Sequence, residues 1–249
     1  MKFITDGLVI REQNIKELDK IITILTRTNG IISAFVYGAK SIKSSKSAAT
    51  GLLTYSRFVI FKNRERYIVD EADAQELFLP LRKDLNKLAL AQYFCELAGE
   101  LSPEEDSAES QLRLVLNGLY FLSKNDRPDT VVKCAFELRL LGLGGYMPNL
   151  FCCEGCGCYE HEQMCFIPET GSLVCGDCAA NAKKECYLTG IAVTHAMRHC
   201  IFCEFKKLFA FNLSKESLER LEFVIEKYIS CQINKKFKTL DFYKQMNSL

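Results

Sequence analysis

Two Cys-x-x-Cys pairs constrain this chain more than any other feature of its sequence. Cys153 and Cys156 form the first pair and Cys175 and Cys178 the second, with 18 residues between them. This spacing is typical of four thiolates that surround one zinc ion. A tetrahedral ion draws its ligands from two separate turns, and a site filled by four cysteines keeps no open position. The sequence therefore predicts one structural, non-catalytic Zn²⁺.

Glycines accompany both pairs. Gly157 follows the first pair and Gly176 lies inside the second, and glycine permits the tight, partly positive-φ turns that a metal-binding loop requires. Other cysteines lie near the first pair, but only Cys153 and Cys156 have the Cys-x-x-Cys-Gly turn. A second zinc site is an alternative whose spacing matches no usual pattern. Its ligands would be Cys158, His161, Cys165 and Cys186.

A third pair, Cys200 and Cys203, has the shape of a redox motif. It lies within a predicted amphipathic helix, where cysteine is usually a small buried apolar residue. A thioredoxin-type pair lies instead at a helix N-terminus after a strand, so we expect no redox role. The sequence also lacks a phosphate-binding glycine loop, a nucleophile elbow and a His-Glu-x-x-His motif. We therefore predict no catalytic residues and no enzyme.

Composition places the chain among soluble globular proteins. It has 249 residues, of which 48% are hydrophobic and 25% charged, which is ordinary for a protein with a buried core. No apolar run reaches the length of a membrane span, and the N-terminus lacks the layout of a signal peptide. We expect a cytoplasmic protein with no membrane partner. Its 13 cysteines should then bind metal or stay reduced rather than form disulfides.

The charge is unevenly distributed along the chain. Residues 1–70 contain 12 Lys and Arg but only 6 Asp and Glu. Residues 20–64 contain eight basic residues and no acidic one. Such a stretch is typical of a surface that contacts a polyanion, although a run of solvated lysines is the simpler alternative.

Patterning divides the chain into strands followed by helices. Residues 1–76 contain five short β-branched segments, and Asn29-Gly30 predicts a hairpin turn. Because no room remains for crossover helices, we predict a small antiparallel β-barrel of the OB-fold class. Residues 77–249 should form an all-α domain with a zinc-ribbon insertion at about 149–186. By pleat alternation we assign Phe35 and Phe58 to the barrel core and leave Tyr37 and Tyr55 open.

Several separate blocks of the sequence form a specific pattern. The most specific block is Phe136-Glu137-Leu138-Arg139-Leu140-Leu141, followed by Gly145-Tyr146-x-Pro148 and the first cysteine pair. Further blocks, spread over nearly the whole chain, are Gly7–Ile10, Gly38–Lys40, Tyr93-x-x-Glu96-Leu97 and Lys238–Phe242. In this order the blocks resemble the bacterial RecO family of recombination and repair proteins. The extra cysteines near the ribbon depart from the family pattern.

The resemblance implies an OB-fold followed by a helical domain that carries a zinc ribbon. It also implies a nucleoid-associated bacterial protein that binds single- and double-stranded DNA and anneals complementary strands. Its protein partners would be RecR and the single-strand-binding protein SSB. Together with RecR it would help to load RecA onto SSB-coated DNA, without enzymatic turnover.

The segment of residues 40–47 carries three lysines and four serines. Such a segment can donate hydrogen bonds to phosphates without reading sequence. The alternative function is a zinc-stabilised protein–protein scaffold that contacts DNA only incidentally. The residues predicted to contact DNA phosphates are Arg27, Lys40, Lys43, Lys46 and Arg57.

Overall fold

A computed structural model describes residues 1–15, 17–39, 46–63, 66–180 and 184–247. The chain forms two compact units, one of residues 1–124 and 237–249 and one of residues 125–236. The first unit contains helices as well as strands, so its limits differ from those of the predicted domain of residues 1–76. None of the described helices is both long enough and apolar enough to span a membrane.

Five strands of the first unit close into a barrel. Its strands are β1 (Lys2–Asn14), β2 (Lys20–Thr26), β3 (Gly30–Val36), β4 (Tyr55–Asn63) and β5 (Arg66–Glu76), with a short helix α1 (Lys46–Ala49) before β4. The strand order is β1-β2-β3-β5-β4, and β4 pairs with β1 to complete the ring. Most neighbours are antiparallel, but β3 and β5 pair in parallel, so the barrel is not wholly antiparallel as predicted. The predicted OB-like barrel is confirmed.

The barrel core follows the period of two that strands impose. On β4, Phe58 and Ile60 are fully buried, as predicted for Phe58. On β3, Ile32, Ala34 and Val36 take the inward positions. Phe35 therefore faces outward and is only partly buried, so its assignment to the core was wrong. The reason is register, because a shift of one residue moves every side chain of a strand to the other face.

The predicted Asn-Gly turn joins β2 to β3. Gly30 has a φ of 61°, in the left-handed region that glycine tolerates best. A Cβ at this position would lie 2.0 Å from the carbonyl oxygen of Pro103. The Ile31 amide donates a hydrogen bond to that oxygen at 2.9 Å. The turn is therefore held by close packing against the backbone at Pro103.

Seven further helices follow the barrel in the part of the chain that the structure describes. They are α2 (Leu85–Leu101), α3 (Glu109–Lys124), α4 (Asp129–Leu143), α5 (Gly176–Ala179), α6 (Gly190–Phe202), α7 (Lys215–Gln232) and α8 (Lys238–Asn247). Helix α2 begins after Asp84, whose carboxylate accepts hydrogen bonds from the amides of Asn86 and Lys87. Residues 79–83, which include Pro80, form a separate 3₁₀ turn before it. Helix α8 was not predicted.

The second unit combines α4, α6 and α7 with a small sheet. The strands of this sheet are β6 (Asn149–Cys153), β7 (Cys165–Ile167), β8 (Ser172–Val174) and β9 (Tyr187–Leu188). The sheet order is β6-β8-β7-β9, with β6 and β8 parallel. The sequence predicts one helix over about residues 189–211, but α6 ends at Phe202, and a separate 3₁₀ turn follows at residues 205–207.

A buried ion cluster joins two helices of this unit. Lys133 on α4 is fully buried, and its Nζ lies 3.2 Å from Glu137, 3.2 Å from Glu222 and 3.0 Å from Glu226. Burial alone would lower the pKa of Lys133, but the carboxylates, Glu137 above all, raise it well above 10.5. The ammonium is therefore charged at neutral pH and holds α4 to α7.

Candidate metal centre and nucleic-acid interface

The four predicted metal-binding cysteines converge in the second unit. Cys153 ends β6, and Cys175 immediately precedes α5. The four Sγ atoms of Cys153, Cys156, Cys175 and Cys178 lie within 4.8 Å of one another. The Cys156 and Cys175 sulfurs are 3.7 Å apart. Sulfurs about 2.3 Å from a tetrahedral Zn²⁺ are about 3.8 Å apart, so this donor set can hold a metal ion of that kind.

Backbone amides stabilise a thiolate at this site. The Cys175 amide donates to Cys153 Sγ at 3.2 Å. Burial alone would raise the pKa of Cys153, but hydrogen bonds from the amides of Cys156, Cys175 and Gly155 lower it to about 6. An anionic sulfur at the centre of three amides favours a bound cation. Metal ligation requires deprotonated thiols, and the fold already favours the deprotonated form of Cys153.

Glycines fit the turns that carry the four cysteines. Gly157 has a φ of 76°, as predicted for the turn after the first pair. Gly176 is needed for space and not for a positive φ, because a Cβ there would lie 2.7 Å from Gln163 Oε1. Sequence reasoning missed Gly155. A Cβ on that residue would lie 2.9 Å from Cys178 Sγ, and its position inside the first Cys-x-x-Cys pair was the available signal.

The remaining cysteines do not form a second metal site. Within the described residues, no further group of three or more His, Cys, Asp or Glu comes close enough to bind an ion. The alternative set of Cys158, His161, Cys165 and Cys186 is therefore not assembled. Burial raises the pKa of Cys200 in α6, so its thiol is protonated and poorly nucleophilic.

The cations predicted to contact DNA lie in different surroundings. Arg27 is 3.7 Å from the Asp6 carboxylate and donates to the Tyr55 hydroxyl at 3.4 Å. Lys46 donates to the Val69 carbonyl at 3.2 Å. Arg57 is exposed and has no ion pair with any residue that the structure describes. Lys40 and Lys43 lie outside the described residues.

Residues 20–64 contain no acidic residue, but acidic side chains from other parts of the chain lie beside them in the fold. Lys20 is buried and donates to Glu12 at 3.0 Å, and Lys62 lies 3.5 Å from Glu105. These carboxylates come from other parts of the chain and neutralise part of the predicted basic surface. A groove of about 460 Å³ along β4 and β5 likewise mixes both signs. Its charged residues are Lys46, Arg57, Asp70, Glu71 and Asp73.

An aromatic pair faces outward on the barrel. The rings of Phe35 and Tyr37 are stacked, with centroids 6.2 Å apart and planes 16° apart. The Arg66 guanidinium lies 5.6 Å from the centre of the Phe35 ring, and Tyr37 is 50% exposed. Exposed aromatic faces beside an arginine are typical of surfaces on which nucleic-acid bases stack. Sequence reasoning missed Phe35 because it placed this side chain inside the barrel.

An apolar groove of about 490 Å³ lies in the second unit. The rings of Phe151 and Phe202 meet edge to face at 5.8 Å on its wall, and both are more than half exposed. Arg198 is buried beneath them. It donates to the carbonyls of Leu150 at 2.8 Å and Tyr159 at 2.7 Å. Such an exposed apolar surface is typical of contact with another protein.

Comparison with known proteins covers both halves of the chain. Residues 1–78 match the family described as recombination protein O N terminal, and residues 82–241 match recombination protein O C terminal. A DNA repair protein RecO from Acetivibrio thermocellus is 35% identical over 98% of this chain and 97% of its own length. One from Symbiobacterium thermophilum is 30% identical over 98% and 97%. The chain therefore belongs to the RecO family of DNA repair proteins.

Proposed function

We propose that this protein binds single- and double-stranded DNA through its barrel and anneals complementary strands without enzymatic turnover. The observation that carries the proposal is the outward Phe35–Tyr37 stack with Arg66 beside it. The lysine-rich segment begins three residues after Tyr37. A stacking surface and a source of cations therefore follow one another along the chain.

The two parts of this surface would act differently on DNA. Every base has a flat face, so stacking on aromatic rings tolerates all sequences. Contacts from lysine and arginine to phosphates likewise carry no sequence information. A protein that anneals any pair of complementary strands needs this lack of sequence preference.

The phosphate contacts proposed here remain those expected from the sequence. Arg57 is exposed, whereas Arg27 donates to the Tyr55 hydroxyl and Lys46 donates to the Val69 carbonyl. A guanidinium has five N–H donors and an ammonium has three, so each of these side chains can contact more than one acceptor. The proposed set is Arg27, Lys40, Lys43, Lys46 and Arg57.

We propose that Cys153, Cys156, Cys175 and Cys178 hold one structural Zn²⁺. When bound, the ion would cross-link the turn after β6 to the start of α5, with no position left for a substrate. The chain's own contribution is the set of amides around Cys153 and Gly155, which leaves room for the Cys178 sulfur. This centre would keep the zinc-ribbon insertion folded, including the chain around Phe151.

The proposed cellular role follows from membership of the family. We propose that the protein works with RecR to load RecA onto DNA coated by SSB. Full-length similarity to relatives named as DNA repair proteins supports this role. A bacterial extract depleted of this protein should lose RecA loading on SSB-coated DNA and regain it when purified protein is added.

The DNA-binding part of the proposal is tested by charge reversal. The variant with Lys40→Glu, Lys43→Glu and Lys46→Glu should bind single-stranded DNA more weakly. The slope of log affinity against log salt should fall by about 2, which is about 0.7 for each lost phosphate contact. The control reverses three exposed lysines of the second unit, Lys206, Lys207 and Lys215, and should keep the slope. An unchanged affinity and slope in the first variant would reject the phosphate contacts.

The groove lined by Phe151 and Phe202 favours the alternative, a protein–protein scaffold. Under that function the wild-type protein would bind zinc but neither bind nor anneal DNA. The double variant Phe151→Ala and Phe202→Ala separates the two functions. If DNA binding is a property of the barrel, the variant keeps full annealing activity, and any loss is confined to assays that contain a protein partner.

A further inference from the structure

One lysine of the stretch of residues 20–64 is buried. Lys20, the first residue of β2, is only 6% exposed. Its Nζ atom donates to the Thr50 carbonyl at 2.7 Å and to the Glu12 carboxylate at 3.0 Å. Lysine is almost never fully buried unless its charge is paired, and Glu12 supplies the opposite charge here. The ammonium is therefore directed into the protein, toward the backbone at Thr50, and not toward a polyanion.

The carbonyl that Lys20 binds lies at the end of helix α1. Thr50 directly follows this helix, and both its amide, at 3.0 Å, and its hydroxyl, at 2.6 Å, donate to the Lys46 carbonyl. The Ser56 hydroxyl of β4 donates to the Ala49 carbonyl at 2.7 Å. A helix of four residues is not stable by itself, and its last carbonyls need donors from outside the helix. Buried side chains of β2 and β4 supply such donors and so determine where α1 lies.

Lys46 is the residue of α1 that lies at the proposed DNA surface. It lines the groove of about 460 Å³ along β4 and β5 together with Arg57, and its Nζ donates to the Val69 carbonyl at 3.2 Å. Both cations belong to the set proposed to contact phosphates. Because the Lys46 backbone is bonded to Thr50, and Thr50 to Lys20, the position of the exposed lysine depends on the buried one.

The residue before Lys20 holds the other end of the same connection. Gly38, two residues after the end of β3, has a φ of 64°, and its amide donates to the Asp19 carboxylate at 2.9 Å. Two consecutive residues therefore hold the connection between β3 and β4, one at Gly38 and one at Thr50. Fixing both ends of a connection lowers the conformational entropy that it loses on binding.

We propose that Lys20 is a positioning residue for DNA binding, which acts through Thr50 and α1 to hold Lys46 against a phosphate. An apolar side chain of similar volume would fill the same space without the cost of burying a charge, but it would donate no hydrogen bond to Thr50. What the lysine adds is therefore a fixed place for α1. Asp19 has the same role at Gly38. The proposal rests on the DNA binding proposed above.

A double-variant comparison on the purified full-length protein tests this role. Binding of a labelled single-stranded oligonucleotide is measured by fluorescence anisotropy across a salt titration. Lys20→Met should lower the slope of log affinity against log salt by about 0.7, the value for one phosphate contact. Lys46→Gln should lower it equally. The variant with both changes should lose no more than either single variant, because both remove the same contact.

Lys133→Met is the matched control, because it also removes a buried ammonium, in the other unit. It should lower the thermal unfolding midpoint and keep the wild-type salt slope. If Lys20→Met does not fold, Thr50→Val tests the same path, since it removes the hydroxyl that donates to Lys46 and keeps the shape of the side chain. This variant should bind DNA about two- to tenfold more weakly, the range for one hydrogen bond, and wild-type affinity would overturn the proposal.

Two outcomes with folded Lys20→Met would also overturn the positioning role. One is a wild-type affinity and slope while Lys46→Gln lowers both. The other is a double variant whose slope falls by about 1.4, which is the loss of two independent phosphate contacts. A wild-type protein that does not bind DNA, or a Lys46→Gln variant with the wild-type slope, would instead reject the proposed function at this groove. That failure is distinct, since it appears without any change at Lys20.

Discussion

The metal centre and the barrel surface were both predicted from short sequence patterns, and the two patterns differ in what they determine. The four cysteines lie together as their spacing requires, within 4.8 Å. The basic stretch of the barrel is instead interrupted by carboxylates from elsewhere, such as Glu12 beside Lys20 and Glu105 beside Lys62. A ligand spacing is a local constraint, whereas a surface charge depends on what the fold places next to it.

Strand pairing explains why the run of basic residues does not form a wholly basic surface on the barrel. On β4, Arg57 is opposite Asp6 of β1 and Asp73 of β5. Residues directly opposite each other on neighbouring strands interact most strongly. Neither aspartate lies within the stretch that is free of acids, so no count along the chain could reveal them. The lesson is that charge runs predict a surface only after strand pairing is known.

The largest expected effect is loss of the metal centre. Cys178→Ser should abolish metal binding, because structural zinc is worth about 10–16 kcal/mol of coupled folding free energy in small domains. Protease should then cleave the chain around residues 149–188, as followed by mass spectrometry with metal content recorded alongside. Cys152→Ser is the control and should behave as wild type. Full metal content and an unchanged thermal unfolding midpoint in Cys178→Ser would contradict the ligand set.

The next largest effect is expected at the buried ion cluster of the second unit, which does not include the metal centre. Lys133→Met should destabilise the protein by about 3–5 kcal/mol in urea unfolding at pH 7, because it removes the positive charge that balances the buried carboxylate of Glu137. Lys215→Met, at an exposed position of α7, is the control and should change stability by less than about 1 kcal/mol. Equal stabilities of the two variants would show that the ion cluster contributes nothing.

The same lysine predicts a pH dependence. The pKa of Lys133 in the folded protein is raised above its unfolded value of 10.5. Its stabilising contribution is therefore complete below pH 10.5 and is lost as the pH rises through the higher, folded pKa. The difference in unfolding free energy between wild type and Lys133→Met should stay level from pH 7 to about 10 and shrink at more alkaline pH. A difference that shrinks between pH 7 and 9 would contradict this pKa.

A smaller effect is expected at the aromatic pair on the outer surface of the barrel. Tyr37→Ala should weaken binding of single-stranded DNA by about 1–3 kcal/mol, the usual contribution of one stacked base. Tyr37→Phe keeps the ring and should bind nearly as tightly as wild type. Fluorescence anisotropy with a labelled oligonucleotide measures both. Equal affinities of Tyr37→Ala and wild type would remove the aromatic pair from the interface.

The smallest effect concerns a single cation among acids. Arg57→Glu should lower the slope of log affinity against log salt by about 0.7, the value for one phosphate contact on a single strand. Lys62→Glu is the matched control, because Lys62 already pairs with Glu105, and its slope should change less. If Lys62→Glu had the larger effect, ion pairing would not be what decides which barrel cations contact DNA.

Much of the fold was readable from the sequence because local signals agreed with the final packing. Asn29-Gly30 predicted the hairpin, and Asp129 at the start with Gly144-Gly145 after the end predicted the bounds of α4, residues 129–143. Helix α8 was missed, since it depends on distant contacts such as Phe237 against the Tyr93 ring at 5.8 Å. Phe35 was misplaced because its strand register is set by neighbouring strands.

Strand annealing by the purified protein, measured across a salt titration with metal content determined on the same sample, tests the central claim most directly. The account predicts annealing of two complementary single strands without ATP, falling steeply as salt rises, by protein that carries about one zinc per chain. A sample with its zinc in place that neither binds nor anneals DNA at low salt would contradict the account and favour the scaffold function.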